Sequence, residues 1–379
     1  MRLSPVLSSV GTYPFLRLEE ARRRVAELGV ELIDFGVGDP RERTPAIIRD
    51  ALLASVDETS SYPLAQGIPE LREAIAGWVR RRFGVRLDPD RQVIPTLGSK
   101  EAIFSLAQLV VDRGGGRDLV AFTEPGYPVP ERGALFAGAE TLALPLLEEH
   151  DFLPDLDALA GVSDRLAILW LNYPNNPTGA TAPRAFLERA AALAREHDFV
   201  LASDEAYTEL WFDEPPASAL QVRSLRNVLV FNTLSKRSSM TGYRSGFAAG
   251  DDELVAALRA FRPTVGTAPQ EFVQRASIVA WGDEGHVEAA RALYRAKRDA
   301  LLPVLERKGL MVAASRAGIY LWVEVDDGSE AFAERLLEHG LVVSPGPFFG
   351  PSGEGYVRFA LVPDLDACRR AASLLEEAL

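Results

Sequence analysis

Four apolar runs in the chain each end in a cluster of groups able to do chemistry. LAILWL leads into N-Y-P-N-N-P-T-G (172–179), FVLAS into D-E-A-Y (204–207), VLVFN into T-L-S-K-R (233–237), and the run near 95 into L-G-S-K-E-A (97–102). Asn176 and Asp204 are 28 residues apart, and Asp204 and Lys236 are 32 apart, about one strand-helix-strand unit each. The clusters are therefore expected on one rim. The Gly98-Ser99-Lys100 turn opens a helix, where free N–H groups and the positive dipole end suit an anion such as phosphate, or it simply caps that helix. Ser235, Thr233 and Arg244 could add two hydroxyls and a guanidinium. Asp204 is either a helix cap or turn former, or the partner of a protonated ring nitrogen. Lys236 is either a solvated loop lysine or an amine made nucleophilic by a partly desolvated pocket near Arg244. Arg358, after G-Y-V, is a surface arginine or a bidentate carboxylate clamp. Lysine occurs only at 100, 236, 297 and 308, so chemistry that needs a primary amine has few candidates.

These clusters need elements to hold them. Apolar runs at 92–96, 118–123, 166–171, 199–203, 228–232 and 245–249 lack period-two alternation and are bounded by Gly, Pro, Asn or Asp, so they read as strands buried on both faces. Helix-like stretches lie between most of them, such as 100–111 and 183–197, where Pro183 suits a first turn. This alternation predicts an α/β fold with a largely parallel sheet, and such sheets bind ligands beyond the carboxyl ends of their strands. After about residue 282 the pattern becomes a long helix (283–308), strand-like pieces at 319–325, 341–344 and 356–361, and a closing helix at 364–378. The expected division is a large domain over 40–282 and a smaller α+β domain from 1–39, with its helix at 16–28, and 283–379.

Composition narrows the function classes. The 379 residues carry a net charge of -13, and no Lys/Arg cluster interleaved with aromatics offsets it, so nucleic acid is not an expected partner. No apolar run approaches the roughly 18 residues of a membrane helix. Cys368 stands alone, which excludes an internal disulfide and a cysteine-based metal site, and no metal is expected. The start of the chain lacks the order of a signal peptide, and the reading places the protein in the cytoplasm. A nicotinamide dehydrogenase is disfavoured because no G-x-G-x-x-G follows the first strand. A metabolite-sensing regulator would need a fused basic DNA-binding segment, which the sequence lacks.

Phosphate, an aldehyde for an amine and a basic ring nitrogen together describe pyridoxal 5'-phosphate. S-D-E-A-Y, T-L-S-K-R-S-S-M-T-G-Y-R-S-G and N-N-P-T-G, in this arrangement, resemble the class I/II aminotransferases of the fold-type I pyridoxal-phosphate enzymes, over nearly the whole chain. The resemblance implies a mostly parallel seven-stranded sheet between helices and a smaller α+β domain. It further implies that Lys236 binds the cofactor aldehyde as an imine, Asp204 pairs with the pyridine nitrogen, Asn176 and Tyr207 hydrogen-bond the ring oxygen, and Tyr127 stacks on the ring. Ser99, Lys100, Thr233, Ser235 and Arg244 would hold the phosphate. Tyr62 would reach the phosphate of a neighbouring subunit, making the active unit a homodimer with shared sites. Gly38, Asn176 and Arg358 would take the α-carboxylate of the amino-acid and 2-oxo-acid substrates. Through W-L-N-Y-P-N-N-P-T-G, G-I-Y-L-W-V and F-F-G-P-S-G-E-G-Y-V-R-F-A-L-V the C-terminal half resembles succinyldiaminopimelate aminotransferases, which exchange an amino group between glutamate and a long N-acylated keto acid in lysine biosynthesis. Transfer from aspartate, alanine, acetylornithine or LL-diaminopimelate would use the same core, as would a β-lyase. Arg17, Arg22, Arg23 and Arg237 are candidates for a distal substrate carboxylate.

Overall fold

A computed structural model of the chain describes residues 3–9, 22–23, 29 and 31–379. Arg17 and most of the helix expected at 16–28 lie outside them; Arg22 and Arg23 are helical. The described strands are β1 (Ile33–Asp34), β2 (Val93–Thr96), β3 (Leu119–Glu124), β4 (Glu140–Pro145), β5 (Leu166–Asn172), β6 (Val200–Asp204), β7 (Val228–Thr233), β8 (Gly246–Gly250), β9 (Val312–Ala313), β10 (Tyr320–Glu324), β11 (Leu341–Val342), β12 (Ser344–Pro345) and β13 (Tyr356–Ala360).

Seven of them form one sheet in the order β2-β8-β7-β6-β5-β3-β4. From β7 to β4 every pairing is parallel; β8 runs antiparallel to both neighbours. Continuous apolar strands suit this sheet because both faces are covered. In β5, Leu169 and Leu171 join a core with Trp78, Phe247 and Trp281, while Ile168 and Trp170 join another with Ile103, Leu106 and Phe231. All six strands expected in the middle of the chain form. The seventh, β4, was not legible as a run, because it is an edge strand with most residues exposed or half-buried and a proline at its end.

The later strands build a four-stranded antiparallel sheet, β12-β13-β10-β9, and a parallel pair, β1-β11. The helices Gly285–Arg307 and Leu365–Ala378 pack on each other beside it. The piece expected at 341–344 divides between β11 and β12, which belong to different sheets. Ala206, Tyr207, Leu210 and Phe212, just beyond β6, pack into the second core with Tyr320, Val357 and Phe359. One short segment thus begins with Asp204 in the large sheet and ends packed against the smaller one, which sets the rim of the first against the face of the second.

Candidate active site

At that seam a cavity of about 510 Å³, in the range usual for small-ligand sites, is lined by Gly38, Ser99, Lys100, Tyr127, Asn176, Asp204, Tyr207, Thr233, Ser235, Lys236, Arg244 and Arg358. Twelve of the thirteen residues expected to hold the cofactor or the substrate α-carboxylate therefore meet in one place. Tyr62 does not: it is fully exposed and is not part of this lining.

Asp204 ends β6 with its side chain buried. Its Oδ1 accepts the Ala206 N–H at 3.3 Å, a local turn that starts no helix, and Asn172 on the next strand donates its amide to the Asp204 carbonyl at 2.9 Å. Burial pushes this carboxyl up to about 7 against the opposing pull of the Ala206 N–H and the charge of Lys236. Lys236 sits on the single-turn helix Leu234–Arg237 that follows β7, and its Nζ donates to the Gly38 carbonyl. Desolvation brings this amine down to about 8; Asp39 opposes the shift, while Arg358 and Arg244 reinforce it. An acid that resists ionising and an amine that readily gives up its proton face one space. That is the electrostatic signature of a site awaiting a charged or reactive ligand.

The turn before Ser99 makes the opposite end of the cavity. Gly98 has φ of 70°, and a Cβ there would fall 2.5 Å from Arg244 Nη2, so only glycine lets the guanidinium lie against the start of the helix Ser99–Val110. No side chain caps that helix start. Arg244 is fixed by hydrogen bonds to the Thr241 carbonyl at 2.8 Å and the Leu97 carbonyl at 3.2 Å. Thr233 caps the Lys236 helix: its hydroxyl accepts the Ser235 N–H at 3.1 Å and lies 3.0 Å from the Ser245 carbonyl. Lys100 lies at the mouth, 5.9 Å from the Tyr127 ring centroid, and burial with the charges of Arg244 and Arg132 lowers its basicity. A helix start, hydroxyls and a guanidinium around a space kept open by Gly98 suit a phosphate.

Arg358 approaches from β13. Its Nη1 donates to Asn176 Oδ1 at 2.8 Å and its Nη2 to the Gly36 carbonyl at 2.7 Å. It is 2 % exposed, so the surface reading of this arginine is excluded. Arg237 is corrected in the other direction. It is 1 % exposed, donates to the Ala280 carbonyl at 2.6 Å and Glu284 at 2.9 Å, and lies over the Trp281 ring, so it supports the lysine turn from behind and cannot take a substrate carboxylate. Arg22 pairs with buried Asp34 at 3.1 Å, and Arg23 is exposed. The sequence reading missed Asn172 and Tyr320, which also line the cavity. Asn172 was visible as the polar residue that ends β5; Tyr320 looked like any aromatic on an apolar strand.

An amine and a carboxylate at the exits of neighbouring parallel strands, facing an anion cradle and an arginine clamp, define a site suited to pyridoxal phosphate and amino-acid chemistry. Comparison with known proteins agrees. The family described as aminotransferase class I and II matches residues 30–375. An LL-diaminopimelate aminotransferase of Nitratidesulfovibrio vulgaris is 40% identical over 383 residues, 98% of each chain. An aminotransferase structure from Neisseria meningitidis superposes with a TM-score of 0.92 at 37% identity, covering 99% of both chains. A probable N-succinyldiaminopimelate aminotransferase of Thermus thermophilus does so with a TM-score of 0.89 at 33% identity, covering 96% of this chain and 100% of that one. The chain belongs to the class I/II aminotransferases and is a pyridoxal-phosphate-dependent enzyme acting on amino acids and 2-oxo acids.

Proposed function

We propose that Lys236 Nζ is the attachment point for the cofactor aldehyde and that Asp204 holds the ring nitrogen protonated. The observation that carries this is the meeting of that amine and that carboxylate in one cavity with Arg358 beside them. In this reading Ser99, Ser235, Arg244, Thr233 and the backbone at Lys100 hold the phosphate, Tyr127 covers a ring face, and Asn176 and Tyr207 address the ring oxygen. Gly38, Asn176 and Arg358 receive the substrate α-carboxylate. When bound, the cofactor supplies an electron sink for the charge left on Cα. The chain supplies the proton handling. Desolvation makes the Lys236 amine less basic than an ordinary lysine, so as a free amine its Nζ could take the Cα proton and return it on the same face. The 40–282 body carries these groups, and 1–39 with 283–379 contributes Gly38 and Arg358. A homodimer would bring Tyr62 to the partner's phosphate.

For the amino donor, the reading is N-succinyl-LL-2,6-diaminopimelate with 2-oxoglutarate as acceptor, a step of lysine biosynthesis. The name borne by the similar Thermus enzyme supports this choice. The name of the Nitratidesulfovibrio relative favours a second reading, free LL-diaminopimelate. A substrate panel decides. The first reading expects kcat/KM for the succinylated donor at least about tenfold above that for the free one; the reverse ratio sinks it. Ammonia release without a 2-oxo acid would mark a β-lyase instead.

A further inference from the structure

Tyr320 touches three of the groups that this reading assigns to cofactor and substrate. It lies on β10 opposite Ala360, 2 % exposed, with its side chain in the cavity wall. Its hydroxyl is 2.7 Å from that of Tyr207, and the two rings meet edge to face with centroids 5.4 Å apart. The Arg358 guanidinium lies over its ring at 4.3 Å and over the Phe349 ring at 4.4 Å, so two aromatic faces bracket the one cation. A Cβ on Gly38 would fall 2.2 Å from Tyr320 Oη, so the loop that accepts from Lys236 is also shaped around this side chain.

One hydrogen joins the two hydroxyls, and its direction matters. If Tyr320 donates it, Tyr207 keeps its own O–H for the cavity; if Tyr320 accepts it, Tyr207 shows the cavity only lone pairs. A cation stacked on the Tyr320 ring withdraws electron density from it, and that makes its phenol the better donor. We propose that Tyr320 is a positioning residue of the reaction. Its hydroxyl donates to Tyr207 and so points the Tyr207 O–H at the bound ring oxygen, while its ring, with Phe349, holds Arg358 in orientation for the substrate carboxylate. The inference rests on the roles given above to Tyr207 and Arg358.

The two halves of the proposal separate in two variants of the holoenzyme. Tyr320→Phe deletes only the hydroxyl, whereas Tyr320→Leu also removes the ring. The readouts are the pH midpoint of the visible absorbance of the lysine-bound cofactor and KM for the amino donor. A hydrogen bond to an anionic ring oxygen lessens that oxygen's hold on the neighbouring proton, so loss of the bond raises the midpoint. Tyr320→Phe is expected to raise it by about half a pH unit or more, with KM within about twofold of the parent. Tyr320→Leu is expected to raise KM about tenfold as well. Tyr207→Phe is expected to give the larger midpoint shift and to leave Tyr320→Phe without further effect in the double variant. An unmoved midpoint in Tyr320→Phe, an additive double variant, or equal KM values in the two Tyr320 variants overturns the proposal. A parent enzyme with no visible band instead overturns the reading beneath it.

Discussion

Asp204 gains nothing for the fold by being charged. Its carboxyl titrates near 7 in the folded chain against an ordinary value of 3.8, so the folded state binds the proton more tightly than the unfolded state does. The resulting loss of stability is absent below about pH 4, grows as pH rises toward 7 and is complete above it; at full strength it is worth as much as ~4 kcal/mol. Asp204→Asn keeps an oxygen for the Ala206 N–H and removes this charge. Thermal melts of the cofactor-free protein at pH 8 are expected to show the variant more stable than the parent, with the gain vanishing by pH 4 and transamination lost by orders of magnitude. A variant less stable at pH 8 would mean that the carboxylate serves the fold. Lys236 shows the mirror case. Its lowered value of about 8 destabilises the charged form below that pH and ceases to matter above the ordinary 10.5. Two residues of one cavity held in states unfavourable to the empty fold are the mark of a site kept for its ligand.

At the scale of elements, the anion cradle depends on one backbone position. Gly98→Ala would place a methyl against the Arg244 guanidinium and strain a residue at φ of 70°, for about 1 kcal/mol or more of stability. Absorbance titration with pyridoxal phosphate is expected to show at least about tenfold weaker binding; unchanged affinity would remove the Ser99 helix start and Arg244 from the phosphate site. The elements also show what the sequence could and could not carry. Strands β2, β3 and β5–β8 were legible because both faces are buried, which forces an unbroken apolar run whose polar exit marks the rim. The edge strand β4 faces solvent along most of its length, so nothing forced such a run there. Arg237 and Arg358 illustrate a second limit. Nothing next to them in the sequence tells their roles apart, yet one lies between Trp78 and Trp281 and the other between Tyr320 and Phe349. Only the packing of distant segments decides which of them faces a ligand.

For the whole molecule, the cavity joins the exits of β5, β6 and β7 to a loop and a strand that lie outside the large sheet: Gly38 comes before that sheet begins, and Arg358 follows it by more than a hundred residues. Strand exits 28 and 32 residues apart could be placed on one rim from the sequence, but this convergence could not, because it depends on how the second sheet docks. Tyr62, fully exposed and away from the cavity lining, makes sense in the proposed dimer. Mixed dimers test that assembly. Inactive Lys236→Ala chains mixed with weakened Tyr62→Phe chains would regenerate one site holding both native residues, so activity is expected to exceed the sum of the two parents; simple additivity would confine each site to one chain.

The central claim is that Lys236, among only four lysines, carries the cofactor. Incubation of the protein with pyridoxal phosphate, borohydride reduction and peptide mapping by mass spectrometry tests it directly. The account predicts one stable label per chain, on the peptide containing Lys236, and none in Lys236→Ala. A label on Lys100, or full labelling of the Lys236→Ala chain, would contradict it.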